Sequence, residues 1–520
     1  MLQYQQNESA QPFAKGLKES IAAREQVLTL GSIAHHKGVG CVGGALVGSK
    51  EGVKWFRKKP ETVNLSHLKP LTKNPALDAY WNSIFNLGVF NFEGERPDTD
   101  EEAEDFSFEN LELSELGILL AEAYGSRVDG LSVSRQFADR KRVASIRELA
   151  NFGKRGCLCA LREFNAPDRD LLREVFFSFG RWDRGASHHL RRQSLLLVLS
   201  LCQQFSTAGW RLDEVNFAAA VYYGRLEEDD DELPIGIPEK LQDVAARWRM
   251  FQFHQFMGVA LEGLFAWLIA RAEPERLAGV TLAGLVDDLG GKALQRELSE
   301  LLDIRLAKSF GSLTPQELLG QVGLMSEAAT PALSSAIDQR ISTGHPLAED
   351  TLEAHLRSGK YLHSPLGLAL PLVLLAVTLS RFQRWNETGY GQWLANAAEN
   401  TFLDLVPPLV VKGLAAQFKN WWCTPFAELA QFALSRYVVR QHISLSYEKS
   451  AAADRCLLQV DGDRILAFGS YGRLGMKNPR LVSAAQVLTD LGLIEAGEDE
   501  DFLSTDGMAL LKGEVGGWAS

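Results

Sequence analysis

Lys477-Asn478-Pro479-Arg480-Leu481, running on to Gly507, has a counterpart near the other end of the chain in Lys73-Asn74-Pro75-Ala76-Leu77, running on to Gly117. Each copy follows Lys-Asn-Pro-x-Leu with a Leu-Gly pair, Leu491-Gly492 and Leu87-Gly88, and the Asn-to-Gly spacing is fourteen positions in both. Each then carries Leu-Ser-x-x-Gly, Leu503-Ser504-Thr505-Asp506-Gly507 and Leu113-Ser114-Glu115-Leu116-Gly117, and an apolar helix start, Met508-Ala509-Leu510-Leu511 and Ile118-Leu119-Leu120. Asn before Pro is a helix start, because Asn caps free amides and Pro fits the first helical position. Leu481, Ala484, Ala485, Leu488 and Leu491 recur at helical spacing, and Gly492 is placed to stop the helix. Leu493-Ile494 then reads as a strand, Glu495 to Asp501 as an acidic turn, Phe502-Leu503 as the returning strand, and Ser504 as the cap of a last helix. The N-terminal copy has the same parts with a longer turn, from Glu93 to Phe108.

Helix, two-stranded wing and short helix together resemble the back half of a winged helix-turn-helix. The winged-helix superfamily is found in DNA-binding and complex-assembly proteins alike, and the resemblance covers about a quarter of the chain. It implies a mainly α fold in which N- and C-terminal winged helices flank a large helical middle. The expected domains are 1–125, a winged helix with a basic segment; 126–425, the helical middle; and 426–520, a second winged-helix unit.

The 520 residues are 46% hydrophobic and 23% charged, the composition of a well-cored globular protein of more than one domain. A net charge of -12 argues against a protein that coats nucleic acid over its whole surface but permits a local basic patch. That patch is Lys50 to Lys73, where Lys50, Lys54, Arg57, Lys58, Lys59, Lys69 and Lys73 face only Glu51 and Glu61. Arg473, Lys477 and Arg480 sit at the start of the second copy, where a helix N-terminus and cations together suit a phosphate. These ten residues are the candidate nucleic-acid contacts. Val53-Lys54-Trp55-Phe56-Arg57 alternates as a strand does.

The helical middle holds the apolar segment Gln193 to Cys202, the aromatic Trp248 to Ala272 and the apolar run Leu366 to Leu379. That last run contains Pro371 and is shorter than a membrane span, so it reads as core. Glu227 to Glu232 reads as an acidic loop closed by Pro234 and Pro238. Past the middle, Phe426 to Ser446 is a long helix, and Cys456 to Phe468 a hairpin turning at Asp461-Gly462-Asp463.

No motif specifies chemistry. Gly38-x-Gly40-x-x-Gly43 follows His35-His36-Lys37 where a dinucleotide site needs an apolar strand, and Lys58 stands where the ribose-binding acid belongs. His188-His189 would point apart on a helix. The six cysteines form no Cys-x-x-Cys pair, so free thiols are expected, with no cofactor and no metal. Arg436 and His442, like Arg357 and His363, match the loose Arg-x(4–6)-His spacing of a family of helical ribonucleases and are the candidate catalytic pair. Met1 to Gln11 lacks an apolar signal core, and the expected location is the cytoplasm.

The expected function is a non-enzymatic DNA-binding or scaffolding subunit of a multi-protein complex, loosely similar to helical winged-helix-bearing proteins of prokaryotic defence loci. One alternative is a kleisin-like protein-assembly subunit of a chromosome-organising ATPase, the other a helical ribonuclease. DNA and protein are the expected partners, and a membrane is not.

Overall fold

The Leu-Ser-x-x-Gly repeat is explained by a backbone arrangement that the two copies share bond for bond. In the second copy, helix Leu481–Asp490 ends at Gly492, whose φ of 69° no β-carbon favours. Gly88 has φ 76° at the matching place. The next residue closes the helix end in both, Leu493 N–H onto Leu488 O at 2.8 Å and Val89 N–H onto Ile84 O at 3.4 Å. A hairpin follows in equivalent register, Ile494–Ala496 on Asp501–Leu503 and Phe90–Phe92 on Leu111–Leu113. The serine then makes two bonds. Ser504 Oγ–H donates to Gly492 O at 2.7 Å and accepts from Gly507 N–H at 3.0 Å. Ser114 Oγ–H donates to Gly88 O at 2.5 Å and accepts from Gly117 N–H at 3.0 Å. One hydroxyl thus ties the end of one helix to the start of the next.

The computed structural model describes residues 13–38, 49–58, 60–64, 71, 84, 86–92, 111–138, 143–163, 166–177, 182, 186–228, 231–275, 278–321, 341–387, 421–449, 456–471, 474, 481–497 and 501–515. In chain order the described elements are α1 (Phe13–His35), α2 (Ser49–Phe56), β1 (Thr62–Asn64), β2 (Phe90–Phe92), β3 (Leu111–Leu113), α3 (Glu115–Val128), α4 (Ser132–Ala138), β4 (Val143–Ser145), α5 (Ile146–Gly156), α6 (Pro167–Phe177), α7 (Ala186–Ala208) and α8 (Glu214–Tyr223). They continue with β5 (Arg225–Glu228), β6 (Asp231–Pro234), α9 (Gln242–Ala272), β7 (Val280–Thr281), α10 (Leu282–Asp287), α11 (Lys292–Leu301), α12 (Pro315–Leu319), α13 (Glu349–Arg357) and α14 (Leu366–Glu387). The last are α15 (Phe426–Ala433), a π-helical stretch Leu434–Arg440, α16 (Gln441–Lys449), β8 (Leu458–Asp461), β9 (Arg464–Ala467), α17 (Leu481–Asp490), β10 (Ile494–Ala496), β11 (Asp501–Leu503) and α18 (Thr505–Val515). The chain is mainly helical, with short strands.

The fold divides into two units, one of residues 1–213, 238–244 and 480–520, the other of 214–237 and 245–479. The first unit therefore contains both copies of the repeat, while the 126–425 span contributes to both units.

In the first unit α1 is buried nearly all round from Val27 to Ala34 and packs on α5. The two cross at glycine: a β-carbon on Gly153 would lie 1.9 Å from Gly31 O, so only bare backbone permits the approach. A capping box starts α5, with Glu148 N–H on Ser145 Oγ and Glu148 Oε2 accepting from Ser145 N–H. Three arginines hold the second copy. Arg173 of α6 donates to Leu491 O and Gly492 O and pairs with Asp506 at 2.8 Å. Arg162 pairs with Asp490 at 2.9 Å, and the buried Arg192 with Glu514. On its other side α6 sets Leu171 and Val175 against Leu87, Leu116 and Leu119 of the first copy.

In the second unit α9 and α14 run antiparallel through one large core. Gly263 faces Pro371, the Trp267 indole N–H donates to Ser364 O just ahead of α14, and Phe253 stacks on Phe382. Arg381 and Glu349 form a fully buried ion pair at 2.8 Å, completed by Tyr222 O–H on Glu349 and Arg381 on Ile341 O. The hairpin β8–β9 turns at Gly462 and Asp463 and takes β7 as a third strand.

Two expectations are corrected. Val53 to Arg57 is not a strand: Val53, Trp55 and Phe56 belong to α2, whose Gly52 seats on Ile33 of α1. The acidic run is not a loop but the hairpin β5–β6, in which Glu227 faces Glu232. The buried Leu226 and Arg225, paired with Glu227 at 2.6 Å, outweigh that repulsion. The sequence also carries helical patterns at 331–341, 390–402 and 408–418, and these lie largely or wholly outside the described residues. The run Glu239–Ala272 is long and apolar enough to cross a membrane, and 67% of its apolar window is buried in protein.

Candidate nucleic-acid interface

Helix α2 and the two residues after it present four cations and one acid to solvent. Lys50, Lys54, Arg57 and Lys58 are all exposed, and Lys54 pairs with Glu51 at 2.5 Å. The opposite side anchors the helix, with Gly52 buried against α1 and Trp55 and Phe56 packed into the core that holds Val27, Leu30 and Val128. That core includes Val128 at the end of α3, so the cationic helix packs against the helix that closes the first copy of the repeat. Lys59, Lys69 and Lys73 lie outside the described residues, as do Arg473, Lys477 and Arg480.

The second copy has different chemistry. The C-terminal half of α17 is covered: Leu488, Thr489 and Asp490 are buried, and the Asp490 carboxylate is held by Arg162 and Gln486. Burial pushes the Asp490 carboxyl above its usual range, and Arg162 opposes that shift. The exposed positions include Val482 on α17 and Phe502 on β11, at 63% and 45%.

Arg436 and His442 sit on consecutive helical stretches, the π-helical Leu434–Arg440 and α16. Arg436 is exposed on the π-helical stretch. His442 Nε2 accepts the Leu457 N–H at 3.0 Å, and its ring lies 4.7 Å from that of Phe265. Burial holds this imidazole below its ordinary range. Arg357 pairs with Glu353 at 2.6 Å and lines a cavity of about 140 Å³ with His355, Tyr361 and Leu474, below the roughly 300 Å³ of ordinary ligand sites. His188 is buried and donates to Val175 O, while His189 is exposed, so the two diverge.

One constellation is invisible in the sequence. Helix α1 ends with Lys37 in the left-handed region, φ 54°, and Gly38 N–H bonding back to Ile33 O at 2.8 Å. This leaves His35 and His36 at the helix end with rings 4.5 Å apart. The Gly31–Gly153 crossing ends α5 beside them, and the turn after it carries Cys157 and Cys159. Cys157 Sγ lies 3.6 Å from His36 Nε2, and donor atoms of His35, His36 and Cys159 all fall within 4.8 Å of one another. Cys157 is buried and the other three are half-buried. Burial, and then the neighbouring His36, hold the His35 imidazole below its ordinary range. Phe56 of α2 packs on Gly38, two residues beyond His36. Among the described cysteines none is in a disulfide. Cys202 donates to Asp501 O, and burial pushes its thiol up to about 12.

No family model, curated protein or solved structure matches the chain.

Proposed function

We propose that the chain is a non-enzymatic DNA-binding subunit of a multi-protein complex and that α2 is its contact surface. The observation that carries this reading is the exposed row Lys50, Lys54, Arg57 and Lys58, with a single acid among them, on a helix whose other side packs into a hydrophobic core. Phosphate contacts of this kind position a protein on a duplex without reading its sequence. The two helix–hairpin–helix copies are winged-helix elements in this reading, the first bearing the DNA surface. Membership of a complex such as those of anti-phage defence is part of the same reading.

A triple variant, Lys54→Ala/Arg57→Ala/Lys58→Ala, tests it. All three side chains are exposed, so the fold should be unaffected. Binding of a labelled duplex should weaken at every sequence. The slope of log K against log salt should shrink by about 1 for each phosphate no longer neutralised, about 3 in all. A slope equal to that of the parent would refute the assignment.

The second copy favours a protein-binding role for the C-terminal end, as in the kleisin-like alternative. The C-terminal end of its helix is covered, its exposed residues include Val482 and Phe502, and Glu495 on its wing is exposed and acidic. Partner binding there should be insensitive to salt and weakened by Phe502→Ser.

A further inference from the structure

We propose that His35, His36, Cys157 and Cys159 form a binding site for a soft divalent transition metal, zinc by preference, at the joined ends of α1 and α5. Two imidazoles and two thiolates are the donor set of closed structural zinc sites. Zinc bonds of about 2.3 Å to sulfur and about 2.0 Å to nitrogen set tetrahedral N and S donors about 3.5 Å apart. The Cys157–His36 pair is already at 3.6 Å, and the 4.8 Å limit among His35, His36 and Cys159 leaves those three a closure of about 1 Å.

The backbone favours a cation in the same place. Helices α1 and α5 both end at the cluster, and helix C-termini carry negative partial charge. Charge balances as well. Zinc takes two thiolates and two neutral imidazoles, each thiol releases one proton to solvent, and nothing is oxidised or reduced. The filled site is neutral, as a half-buried position requires. Four protein ligands leave no open position, so the metal acts as a staple and not as a catalyst. It would join segments 121 residues apart in sequence and fix the turn on which Phe56 of α2 rests. The site is independent of the DNA-binding reading, and its tests use no nucleic acid.

The full chain, purified under reducing conditions, is stripped with a chelator and titrated with zinc and with cobalt. The expected result is one tight equivalent per chain. Cobalt should give thiolate-to-metal charge transfer in the near ultraviolet and the intense visible bands of a tetrahedral ion. Cys157→Ser and Cys159→Ser should each weaken zinc binding beyond the roughly 10–100-fold typical of losing a residue that only supports a ligand, and Cys456→Ser should leave it unchanged. No tight equivalent, a weak octahedral cobalt spectrum, or a thiolate spectrum that survives the Cys157→Ser/Cys159→Ser double change would each overturn the proposal. The cobalt spectrum of the parent protein decides the matter even where a variant fails to fold.

Discussion

Replacing Gly507 by alanine should destabilise the first unit, although alanine is the better helix former. In α18 the exchange gains about 1 kcal/mol of helix propensity. At Gly507, however, the new β-carbon would lie 2.2 Å from Leu493 O, and that oxygen is backbone and cannot swing aside. Relief requires helix and hairpin to part by about 1 Å, an overpacking strain of about 1–3 kcal/mol. The same movement loosens the Ser504 N–H bond to Leu493 O, now 3.1 Å, which contributes about 0.5–1.5 kcal/mol. The net loss is about 1–3 kcal/mol, or about 2–12 °C in the melting midpoint of a domain of this size. Gly513→Ala in the same helix is the control, because nothing lies within 4 Å of a β-carbon there, and it should be neutral or stabilising. Gly117→Ala should behave like Gly507→Ala, since Val89 O would also be 2.2 Å away. Differential scanning calorimetry of the three variants decides the point. A Gly507→Ala protein as stable as Gly513→Ala would refute the account of the repeat.

Further outcomes follow in the second unit. Arg381→Met leaves the Glu349 carboxylate, 0% exposed, without its cation and should cost about 3–5 kcal/mol, whereas Arg381→Met/Glu349→Leu should recover much of that; urea unfolding of the single and double variants measures the difference, and a single-variant cost below about 1 kcal/mol would contradict it. His442 is held neutral by burial, so the folded chain binds fewer protons there than the unfolded one; stability from this group is full above about pH 6.5 and falls as pH drops below it. His442→Phe keeps the contact with Phe265 and should flatten that acid dependence while lowering stability at neutral pH, as thermal midpoints between about pH 7 and pH 5 would report.

The parts of the fold legible in the sequence are those held by local chemistry. Gly492, Ser504 and Gly507 act on backbone within one copy of the repeat, and the β8–β9 hairpin forms around its own turn. What misled was tertiary. Val53 to Arg57 reads as an alternating strand, yet Val53 to Phe56 are helical because Gly52 gives α2 a close seat on α1. Glu227 to Glu232 carries charge that argues for a loop, and the burial of Leu226 makes it a hairpin. The same holds for the sites. The basic run around α2 can be read from composition, but the His–Cys cluster cannot. Cys157-x-Cys159 shows no partner nearby in sequence, and its histidines arrive only through the glycine crossing of α1 and α5. The buried Arg381–Glu349 pair is likewise a long-range product.

The most direct test of the functional reading is equilibrium binding of the purified full chain to a labelled DNA duplex, by fluorescence anisotropy, from about 50 to 200 mM salt. Four phosphate contacts from Lys50, Lys54, Arg57 and Lys58 predict a log–log slope of about -3 to -4, an affinity loss of roughly 100-fold across that range. No binding at the lowest salt, or binding indifferent to salt, would contradict a DNA surface on α2.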